Sequence, residues 1–358
     1  MWINYLLFAV GLALLVKGGD WFVDGATGIA KRFHLPELLI GATVVSIGTT
    51  LPEVMVSATS AVSGHSEIAY GNAIGSIICN TALIAALSIA IKPAKVDRET
   101  LKLPVLFFFI AAAFYLAIAY TGGYYSRLSG AVLLLIFVIY MTVTVRQALK
   151  QSKLSLAAAT ATSTAADEQG TASSGKSHSS GTKANTQTAD ATDTSADKSA
   201  EPSVLKNVIL LLIGAAFIAV GANLLVNKGT AIAQHFGVPE SVIALTFVAL
   251  GTSLPELVTA ITSLAKGHGA LSIGNIIGAN LFNLVFVSGL SITLSPFALP
   301  AEKTISGINA SLVVDSPLML AVMLIMTVPA LIRGKLSRVQ GIVLLALYAA
   351  FCVFQFAM

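Results

Sequence analysis

The stretch GTTLPE at residues 48–53 returns almost unchanged as GTSLPE at residues 251–256. The same offset of 203 positions carries GNAIGSIICN (71–80) onto GNIIGANLFN (274–283), and residues 36–83 share 19 identities with their counterparts without a gap. Most of these identities are Gly, Pro, Glu, Asn and Thr, not the apolar residue types that a shared composition would match. The chain therefore contains an internal duplication.

The composition is that of a membrane protein. Only 11% of the 358 residues are charged and the mean hydropathy is +0.84, whereas a soluble chain carries about a quarter charged residues. The first apolar run lacks the basic start and cleavage pattern of a signal peptide, so we expect it to remain as a spanning helix. The sequence predicts an all-α polytopic membrane protein with ten transmembrane helices, each long enough to cross a hydrocarbon layer of ~30 Å. The ten apolar segments run at 2–24, 36–64, 67–91, 103–121, 128–146, 204–227, 239–265, 270–296, 312–332 and 337–357.

A polar stretch divides the ten segments into two sets of five. Residues 151–203 are rich in Ala, Thr, Ser and Asp and nearly lack aromatic and branched apolar residues. Such a composition buries too little apolar surface to fold. The predicted organisation is a first transmembrane repeat at 1–150, a disordered linker at 151–203 and a second transmembrane repeat at 204–358.

The distribution of Lys and Arg over the loops predicts the orientation. If the segments alternate in direction, one side receives only Arg127, Lys228 and Lys303, and the opposite side receives fourteen Lys and Arg residues. The positive-inside rule places the richer side in the cytoplasm. We expect an inner (plasma) membrane protein with both termini periplasmic and the linker cytoplasmic. Because each half has five segments, the second repeat is inverted relative to the first, as in secondary transporters.

Each LPE motif places an acid inside an apolar segment. Pro52 removes a helical hydrogen bond and Gly48 eases a departure from helical geometry, so backbone carbonyls upstream are freed. The hydroxyls of Thr49 and Thr50 lie one turn before Glu53 on its face of the helix. The second copy repeats this arrangement with Thr252, Ser253 and Glu256.

The asparagine-containing segments supply further oxygen atoms. Asn72, Ser76 and Asn80 recur every four residues on one side of the third segment, and Asn275 and Asn283 take corresponding places in the eighth. Carboxylates, hydroxyls, amides and freed carbonyls together make an all-oxygen site, which suits a hard cation such as Ca²⁺, and Na⁺ is of similar size. An intramembrane acid that recurs in an inverted half predicts an ion-transport site.

Other ionisable residues near the segment ends are predicted to be structural. Lys17, Asp20 and Asp24 lie near the cytoplasmic end of the first segment, where we expect a mutually paired group at the membrane interface and not ion ligands. His65 and His268 end the second and seventh segments. We expect them to anchor these ends at the interface, with a pH sensor as the alternative.

The paired motifs resemble those of the cation/Ca²⁺ exchanger superfamily, in particular its bacterial Na⁺/Ca²⁺ exchanger-like branch. The resemblance covers both halves and leaves out the linker. It implies that the two motif-bearing regions are the alpha repeats of that family, which form broken helices 2, 3, 7 and 8 around a cluster of Na⁺ and Ca²⁺ sites. Helices 1 and 6 then correspond to the sliding gate bundle of that fold.

The resemblance also implies a set of ion ligands, with Glu53 and Glu256 as the central Ca²⁺ ligands. Two positions depart from the family pattern: Asn283 stands where members often have aspartate, and Ala279 where they have serine. The pocket therefore lacks a third titratable group, which leaves the ion stoichiometry open and weakens any extension to K⁺-dependent exchange. The other implied ligands are Thr49, Thr50, Thr252, Ser253, Ser76, Asn80, Asn283 and, through Na⁺-binding backbone carbonyls, Ser46 and Ala249.

The sequence thus predicts an antiporter that exchanges Na⁺ for Ca²⁺. The alternatives are a Ca²⁺/H⁺ exchanger that uses the same glutamates and, from another class, a cation channel or a cation-regulated receptor. An enzyme is not expected, because the sequence offers no nucleophile–base pairing, metal-binding His cluster or nucleotide loop. The expected partners are Ca²⁺ and Na⁺ ions and the lipid bilayer, with no cofactor and no nucleic acid; the oligomeric state stays open.

Overall fold

The computed structural model describes residues 2–170, 204–236, 251–300 and 304–357. The helices are α1 (Trp2–Arg32), α2 (Glu37–Val62), α3 (Ser66–Cys79 with its continuation Asn80–Ala85 and Ala86–Ile91), α4 (Arg98–Thr121), α5 (Arg127–Gly170), α6 (Val204–His235), α7 (Leu254–Ala265), α8 (Gly269–Leu294), α9 (Ser311–Arg333) and α10 (Arg338–Ala357). The strands are β1 (Tyr124–Tyr125), β2 (Phe297–Ala298), β3 (Thr304–Ile305) and β4 (Ile308–Asn309).

The helices have the length and composition of membrane spans. Within the described ranges, nine of them are long and apolar enough to cross a bilayer. The shorter α7 covers the C-terminal part of the predicted seventh segment, and residues 237–250 lie outside the described residues. The predicted all-α polytopic membrane class is confirmed, while the count of ten spans stays a prediction.

Helices α3 and α8 form the centre of the bundle. Their most apolar stretches are 72% and 83% buried, whereas those of α1, α6 and α10 are 33%, 22% and 17% buried. The outer helices therefore present much of their apolar surface to lipid. Polar side chains on α3 and α8 are enclosed by protein, which is where a membrane protein tolerates them.

Helices α1 and α6 pack against each other as a long antiparallel pair. Glycines bring the two backbones close: a methyl group on Gly11 would lie 3.0 Å from the carbonyl oxygen of Gly221, and one on Gly18 would lie 2.9 Å from that of Gly214. Helices in lipid associate through such van der Waals contact at small residues. The two contacts are counterparts of each other, because Gly214 lies 203 positions after Gly11 and Gly221 lies 203 positions after Gly18.

Two pairs of loops also correspond between the halves, although only one partner of each hydrogen bond keeps the offset of 203. The α3–α4 loop is joined to the α9–α10 loop by a hydrogen bond from the Val96 amide to the Gly334 carbonyl, at 3.0 Å. Its counterpart, the α8–α9 loop, is joined to the α4–α5 loop by a bond from the Leu299 amide to the Gly123 carbonyl, at 2.6 Å, beside the β1–β2 pairing. Because Val96 and Leu299 are 203 positions apart, the duplication extends from the sequence into the tertiary contacts.

Wide π turns modify several helices, and two of them lie in corresponding places. Helix α3 has one at Asn80–Ala85 and α8 has one at Asn283–Val287, while α2 has one at Gly41–Val45. In α8 the carbonyl of Asn283 accepts the backbone amide of Ser288, five residues later, and also the Ser288 hydroxyl at 3.0 Å. Turns of this kind are frequent at functional sites.

Helix α2 departs from the broken helix that the family resemblance implied. Pro52 lies inside the continuous stretch Ser46–Val62, and the irregular geometry lies upstream, in the π turn Gly41–Val45. A π turn offsets the hydrogen-bond ladder without ending the helix. The irregular backbone therefore lies in the same helix as Pro52 but upstream of it, at Gly41–Val45.

Helix α5 continues farther than the sequence analysis predicted. It ends at Gly170 and so includes residues 151–170, which were assigned to a disordered linker. The physical reason is local propensity: this stretch contains many Ala residues together with Leu, Gln and Glu, which favour a helix even without tertiary contacts. The remainder of the predicted linker, 171–203, lies outside the described residues.

Candidate functional site

Two glutamates occupy corresponding places at the centre of the molecule. Glu53 lies in α2 and Glu256 in the first turn of α7, and both side chains are 0% exposed. The two carboxylates interact electrostatically with each other, and none of their four oxygens has a hydrogen-bond partner among the described residues. Buried carboxylates without partners cost several kcal/mol, so the pair favours a bound cation.

The two glutamates differ in their helical position. Glu53 follows Pro52 inside a continuous helix, whereas α7 begins at Leu254 with Ser253 as its N-cap residue and Pro255 in its first turn. Proline is compatible with a helix start because its missing amide hydrogen is not needed there. Glu256 thus lies in the first turn of a helix, where the helix dipole stabilises a negative charge.

The predicted hydroxyl ligands surround this pair. Thr49, Thr50 and Ser253 are buried, and Thr49 and Thr50 lie close to the carboxylate of Glu256. Thr49 directs its proton to the amide oxygen of Asn275 at 3.2 Å, which leaves the lone pairs of its hydroxyl available. The hydroxyls of Thr50 and Ser253 have no hydrogen-bond partner in the described part of the chain. Hydroxyl oxygens are suitable ligands for Na⁺ and Ca²⁺.

Asn72 and Asn275 join the two halves through a matched pair of hydrogen bonds. Thr49 Oγ1 donates to Asn275 Oδ1 at 3.2 Å, and Thr252 Oγ1 donates to Asn72 Oδ1 at 3.2 Å. The two bonds are counterparts of each other, because Thr252 lies 203 positions after Thr49 and Asn275 lies 203 positions after Asn72. The sequence analysis named both asparagines as sources of oxygen, and the structure places them as supports for the hydroxyl groups of the opposite half.

Asn72 also connects α3 to the glutamate-bearing helix of its own half. Its Nδ2 donates to the carbonyl of Glu53 at 3.2 Å and to the Ser57 hydroxyl at 2.8 Å. Ser57 was not predicted as a site residue; its position one turn after Glu53 is the only sequence signal that could have identified it. Ser46 is buried one turn before Thr50, and its hydroxyl donates to the Asn275 carbonyl at 3.0 Å.

The predicted amide ligands lie at the two matched π turns. Asn80 and Asn283 are 0% exposed, and their side-chain amides have no hydrogen-bond partner among the described residues. The π turn that starts at Asn283 packs against α2, and the one that starts at Asn80 packs against α7. Each asparagine therefore belongs to a segment that touches the glutamate helix of the other half. Ser76 is buried one turn before Asn80.

The structure thus buries most of the predicted site residues, while their roles as ligands stay predictions. Thr252 is partly exposed, and Ala249 lies outside the described residues. Within the described ranges, no three His, Cys, Asp or Glu residues form a group that could hold a metal ion. The buried members are Ser46, Thr49, Thr50, Glu53, Ser76, Asn80, Ser253, Glu256 and Asn283.

The charged residues near the end of α1 pair differently from the prediction. Lys17 lies over the ring of Trp21, at 5.4 Å from its centroid. Asp20 and Asp24 pair instead with Lys266, with Nζ–Oδ1 distances of 3.4 and 2.8 Å. The predicted pairing of Lys17 with these aspartates is wrong, because the fold brings the end of α7 against α1 and supplies a cation distant in sequence.

The histidine before α8 also has a distant partner. His268 Nδ1 lies 2.7 Å from Glu37 Oε1, which joins the start of α8 to the start of α2. His65 takes the corresponding place before α3 and is exposed, while the counterpart of Glu37, Glu240, lies outside the described residues. His268 is therefore held by protein as well as being placed at a helix end, as predicted.

Comparison with known proteins identifies the family. A family model described as sodium/calcium exchanger protein matches residues 3–146 and 206–357. The sodium/calcium exchanger MaX1 of Methanosarcina acetivorans is 29% identical, with 99% of each chain covered. The inner membrane protein YrbG of Escherichia coli is 32% identical over 81% of this chain and 79% of its own.

Solved structures show a similar fold. Two structures of the sodium-calcium exchanger NCX_Mj, one soaked with 2.5 mM Na⁺ and 10 mM Sr²⁺ and the other with zero Na⁺ and Ca²⁺, each match with a TM-score of 0.70 at 31% identity. The match covers 97% of both chains. The family model and the structural match both span the two halves that carry the buried glutamates. The chain belongs to the sodium/calcium exchanger protein family.

Proposed function

We propose that the chain is a secondary active antiporter that exchanges Na⁺ for Ca²⁺ across the membrane by alternating access. The observation that carries this proposal is the burial of Glu53 and Glu256 side by side, on corresponding helices of the two halves, without hydrogen-bond partners among the described residues. One Ca²⁺ neutralises both carboxylates, and Na⁺ ions at overlapping positions do the same. Family membership and the exchanger relatives support this reading.

The two glutamates are the central Ca²⁺ ligands in this proposal. Hydroxyls, side-chain amides and backbone carbonyls complete a coordination shell made only of oxygen, as hard cations prefer. Na⁺ occupies overlapping and flanking positions in the same shell. The proposed additional ligands are Thr49, Thr50, Ser76, Asn80, Thr252, Ser253 and Asn283, with the backbone carbonyls of Ser46 and Ala249.

Charge compensation couples the two ions. An unloaded site keeps two negative charges in a medium of low dielectric constant, at a cost of several kcal/mol. Movement of the α1–α6 pair across the site is therefore favoured only after Ca²⁺ or Na⁺ has bound. Because Ca²⁺ and Na⁺ compete for Glu53 and Glu256, each passage carries one kind of ion, and the result is exchange.

An inverted repeat gives this site two alternative entrances. We propose a first repeat at 1–150 and an inverted second repeat at 204–358, separated by a cytoplasmic connection at 151–203. The glycine contacts of α1 with α6 and the bonds of Thr49 and Thr252 to asparagine, which are counterparts at the offset of 203, support a two-fold relation between the halves. The proposed location is the inner membrane, with ten spans and both termini periplasmic, as the distribution of Lys and Arg indicates.

Na⁺ is the proposed counter-ion. Relatives whose names describe sodium/calcium exchange, and structural neighbours soaked with Na⁺ and Sr²⁺, favour Na⁺ over H⁺. A channel is disfavoured because the inverted repeat is the usual plan of alternating-access transporters. The proposal includes no enzymatic activity and no cofactor; the partners are the transported ions and the lipid bilayer.

Flux measurements on the purified, reconstituted protein test the proposal. Proteoliposomes loaded with Na⁺ should take up radioactive Ca²⁺ when diluted into Na⁺-free medium, and Glu53→Gln should abolish this uptake. Glu99→Gln is the matched control, because the carboxylate of Glu99 is exposed and, in the part of the chain that the structure describes, pairs only with Lys102, at 2.5 Å. It should leave the uptake unchanged.

Two further conditions separate the alternatives. An imposed pH gradient without Na⁺ should drive no Ca²⁺ uptake; uptake under that condition would establish Ca²⁺/H⁺ exchange instead. Ca²⁺ flux down its own gradient without any counter-ion would establish a channel. Normal Na⁺-dependent uptake by Glu53→Gln would refute the role assigned to the carboxylate.

A further inference from the structure

The two halves offer one entrance each to the buried site, and the α6 entrance is open. A cavity of about 230 Å³ lies between α6, α2 and the turn before α7, and it reaches the proposed ligand Thr252. Asn223 and Asn227 line its α6 wall, and Pro52 and Val56 line its α2 wall. By the proposed topology this entrance faces the periplasm.

The corresponding α1 entrance is closed. Its walls are α1 and α7, and a methyl group on Gly19 would lie 2.7 Å from Val258 Cγ1 and 2.8 Å from Thr262 Oγ1. Thr259 is 0% exposed, whereas its counterpart Val56 is 37% exposed at the open entrance. Helix α1 therefore covers this part of α7, whereas α6 leaves the corresponding part of α2 accessible.

A cluster of charges lies across the closed α1 entrance. Lys266, just after α7, places its Nζ 2.8 Å from Asp24 Oδ1, 3.4 Å from Asp20 Oδ1 and 3.0 Å from the carbonyl oxygen of Asp20. The side chain of Lys266 is only 27% exposed. One ammonium group is thus held by three oxygens of the helix that must move if this entrance is to open.

The open entrance has no such cluster at the matching positions. The counterparts of Lys266, Asp20 and Asp24 are Ser63, Asn223 and Asn227. The amide of Asn227 donates to Asn223 Oδ1 at 2.9 Å, within α6 itself, so this bond does not hold α6 to α2. The three corresponding positions are therefore charged at the α1 entrance and neutral at the α6 entrance.

We propose that Lys266, Asp20 and Asp24 form an ionic lock that holds α1 against α7 and favours the state in which only the α6 entrance is open. The inference rests on the proposed function, since it assumes that the two entrances open in turn. A single exposed ion pair contributes little, but this ammonium is only 27% exposed and has as partners a carbonyl and two carboxylates, which are 39% and 53% exposed. Loss of the lock shifts the equilibrium towards an open α1 entrance.

A thiol reporter at the α1 entrance tests the lock without requiring transport. The two natural cysteines, Cys79 and Cys352, are replaced by alanine, and Thr262→Cys places one thiol on α7 beneath α1. A polar maleimide then reports how often this entrance opens in the purified full-length protein. Addition of Lys266→Gln should increase the labelling rate about fivefold, the shift expected for a loss of roughly 1 kcal/mol.

Thr59→Cys is the matched reporter, because Thr59 is the counterpart of Thr262 at the open entrance. Lys266→Gln should leave its labelling unchanged or slow it, since the two entrances open in turn. Ser63→Ala, the counterpart of the lysine substitution, should alter neither reporter. Equal acceleration at both reporters, or no acceleration at Thr262→Cys, would overturn the lock.

Ionic strength provides a second test that needs no substitution in the lock. Choline chloride at about 1 M reduces the screening length from ~10 Å to ~3 Å without supplying a transported ion. It should accelerate labelling of Thr262→Cys but not of Thr59→Cys; equal rates at low and high salt would contradict an electrostatic lock. A labelling shift without Na⁺-dependent Ca²⁺ flux would support the lock and contradict the proposed exchange function. Na⁺-dependent Ca²⁺ flux without a labelling shift would contradict the lock alone.

Discussion

The two halves of the molecule are alike where they surround the proposed ion site and unlike at its two entrances. Glu53 and Glu256, the bonds of Thr49 and Thr252 to asparagine, and the two asparagine π turns all have counterparts 203 positions apart. By contrast, the charged cluster of Lys266, Asp20 and Asp24 has only neutral residues at the corresponding positions of the other half. The proposed ion site takes ligands from both copies, whereas the proposed preference for one open entrance requires that the copies differ.

The largest expected effect tests the likeness of the two copies at the site. Glu53→Gln and Glu256→Gln should each reduce Na⁺-dependent Ca²⁺ flux by a factor on the order of 100 or more, because an interaction of about 3 kcal/mol with a charged group is lost. Ca²⁺ uptake by proteoliposomes measures both variants. Loss of flux in one variant and near-normal flux in the other would show that the copies are not equivalent.

A second comparison concerns the two asparagines that support the hydroxyl groups. Among the described residues, the side chain of Asn72 makes three hydrogen bonds, to Thr252, Ser57 and the Glu53 carbonyl, whereas that of Asn275 accepts one from Thr49. At about 1 kcal/mol for each bond, Asn72→Ala should destabilise the protein by about 3 kcal/mol and Asn275→Ala by about 1 kcal/mol.

Thermal unfolding of the purified variants in detergent measures the difference between the two asparagines. Asn283→Ala provides a control for amide removal, because the Asn283 side chain has no hydrogen-bond partner among the described residues; it should lower Ca²⁺ affinity more than stability. Equal destabilisation by Asn72→Ala and Asn275→Ala would contradict the unequal bonding of the two copies.

A third prediction tests the contact between the halves at α1 and α6. A methyl group on Gly18 would lie 2.8 Å from Phe217 Cβ and 2.9 Å from the Gly214 carbonyl oxygen, whereas one on Gly122 would meet nothing within 4 Å. Gly18→Ala should therefore destabilise the protein by about 2 kcal/mol through overpacking. Gly122→Ala should have almost no effect on the unfolding temperature, and equal effects would contradict the close packing of α1 and α6.

The smallest expected effect concerns a loop in which the halves differ. Asp97 caps α4 by accepting hydrogen bonds from the amides of Glu99 and Thr100, and its counterpart is Pro300, which has no capping side chain. Asp97→Ala should destabilise the protein by about 1 kcal/mol, again measured by thermal unfolding. Pro300→Ala is the paired control and should have less effect.

The cap also predicts a dependence on pH. The Thr100 hydroxyl lowers the pKa of Asp97 by bonding to its carboxylate. Because the folded pKa lies below the unfolded value of about 3.9, the contribution is complete above that value and is lost as the pH falls through the folded pKa. The stability difference between the natural chain and Asp97→Ala should therefore shrink in acid; a difference that stays constant would contradict a charged cap.

Local patterns predicted much of the fold and of the site. Apolar length gave the membrane-spanning helices, and the repeated LPE and Asn motifs identified the glutamates that the structure buries together. The motif around Pro52 also indicated irregular backbone, although the structure places it in a π turn upstream. These predictions succeed because each depends on residues that are neighbours in the chain.

Contacts between distant segments could not be predicted in this way. Nothing near Lys266 indicates that Asp20 and Asp24 will meet it, since the packing of α1 on α7 brings them together. The bonds from Thr49 to Asn275 and from Thr252 to Asn72 depend likewise on how the halves interlock. The length of α5 was missed for the opposite reason: a low content of large apolar residues argued for disorder, but helix propensity extends the helix to Gly170.

The glycine contacts of α1 and α6 have a consequence for leakage. Because the two backbones touch at Gly11 with Gly221 and at Gly18 with Gly214, we expect the two helices, one at each entrance, to move together. A displacement that uncovers one side of the site covers the other, so simultaneous opening requires the two helices to part. Separation would forfeit these backbone contacts and admit lipid or water between them, and ions would then run down their gradients uncoupled.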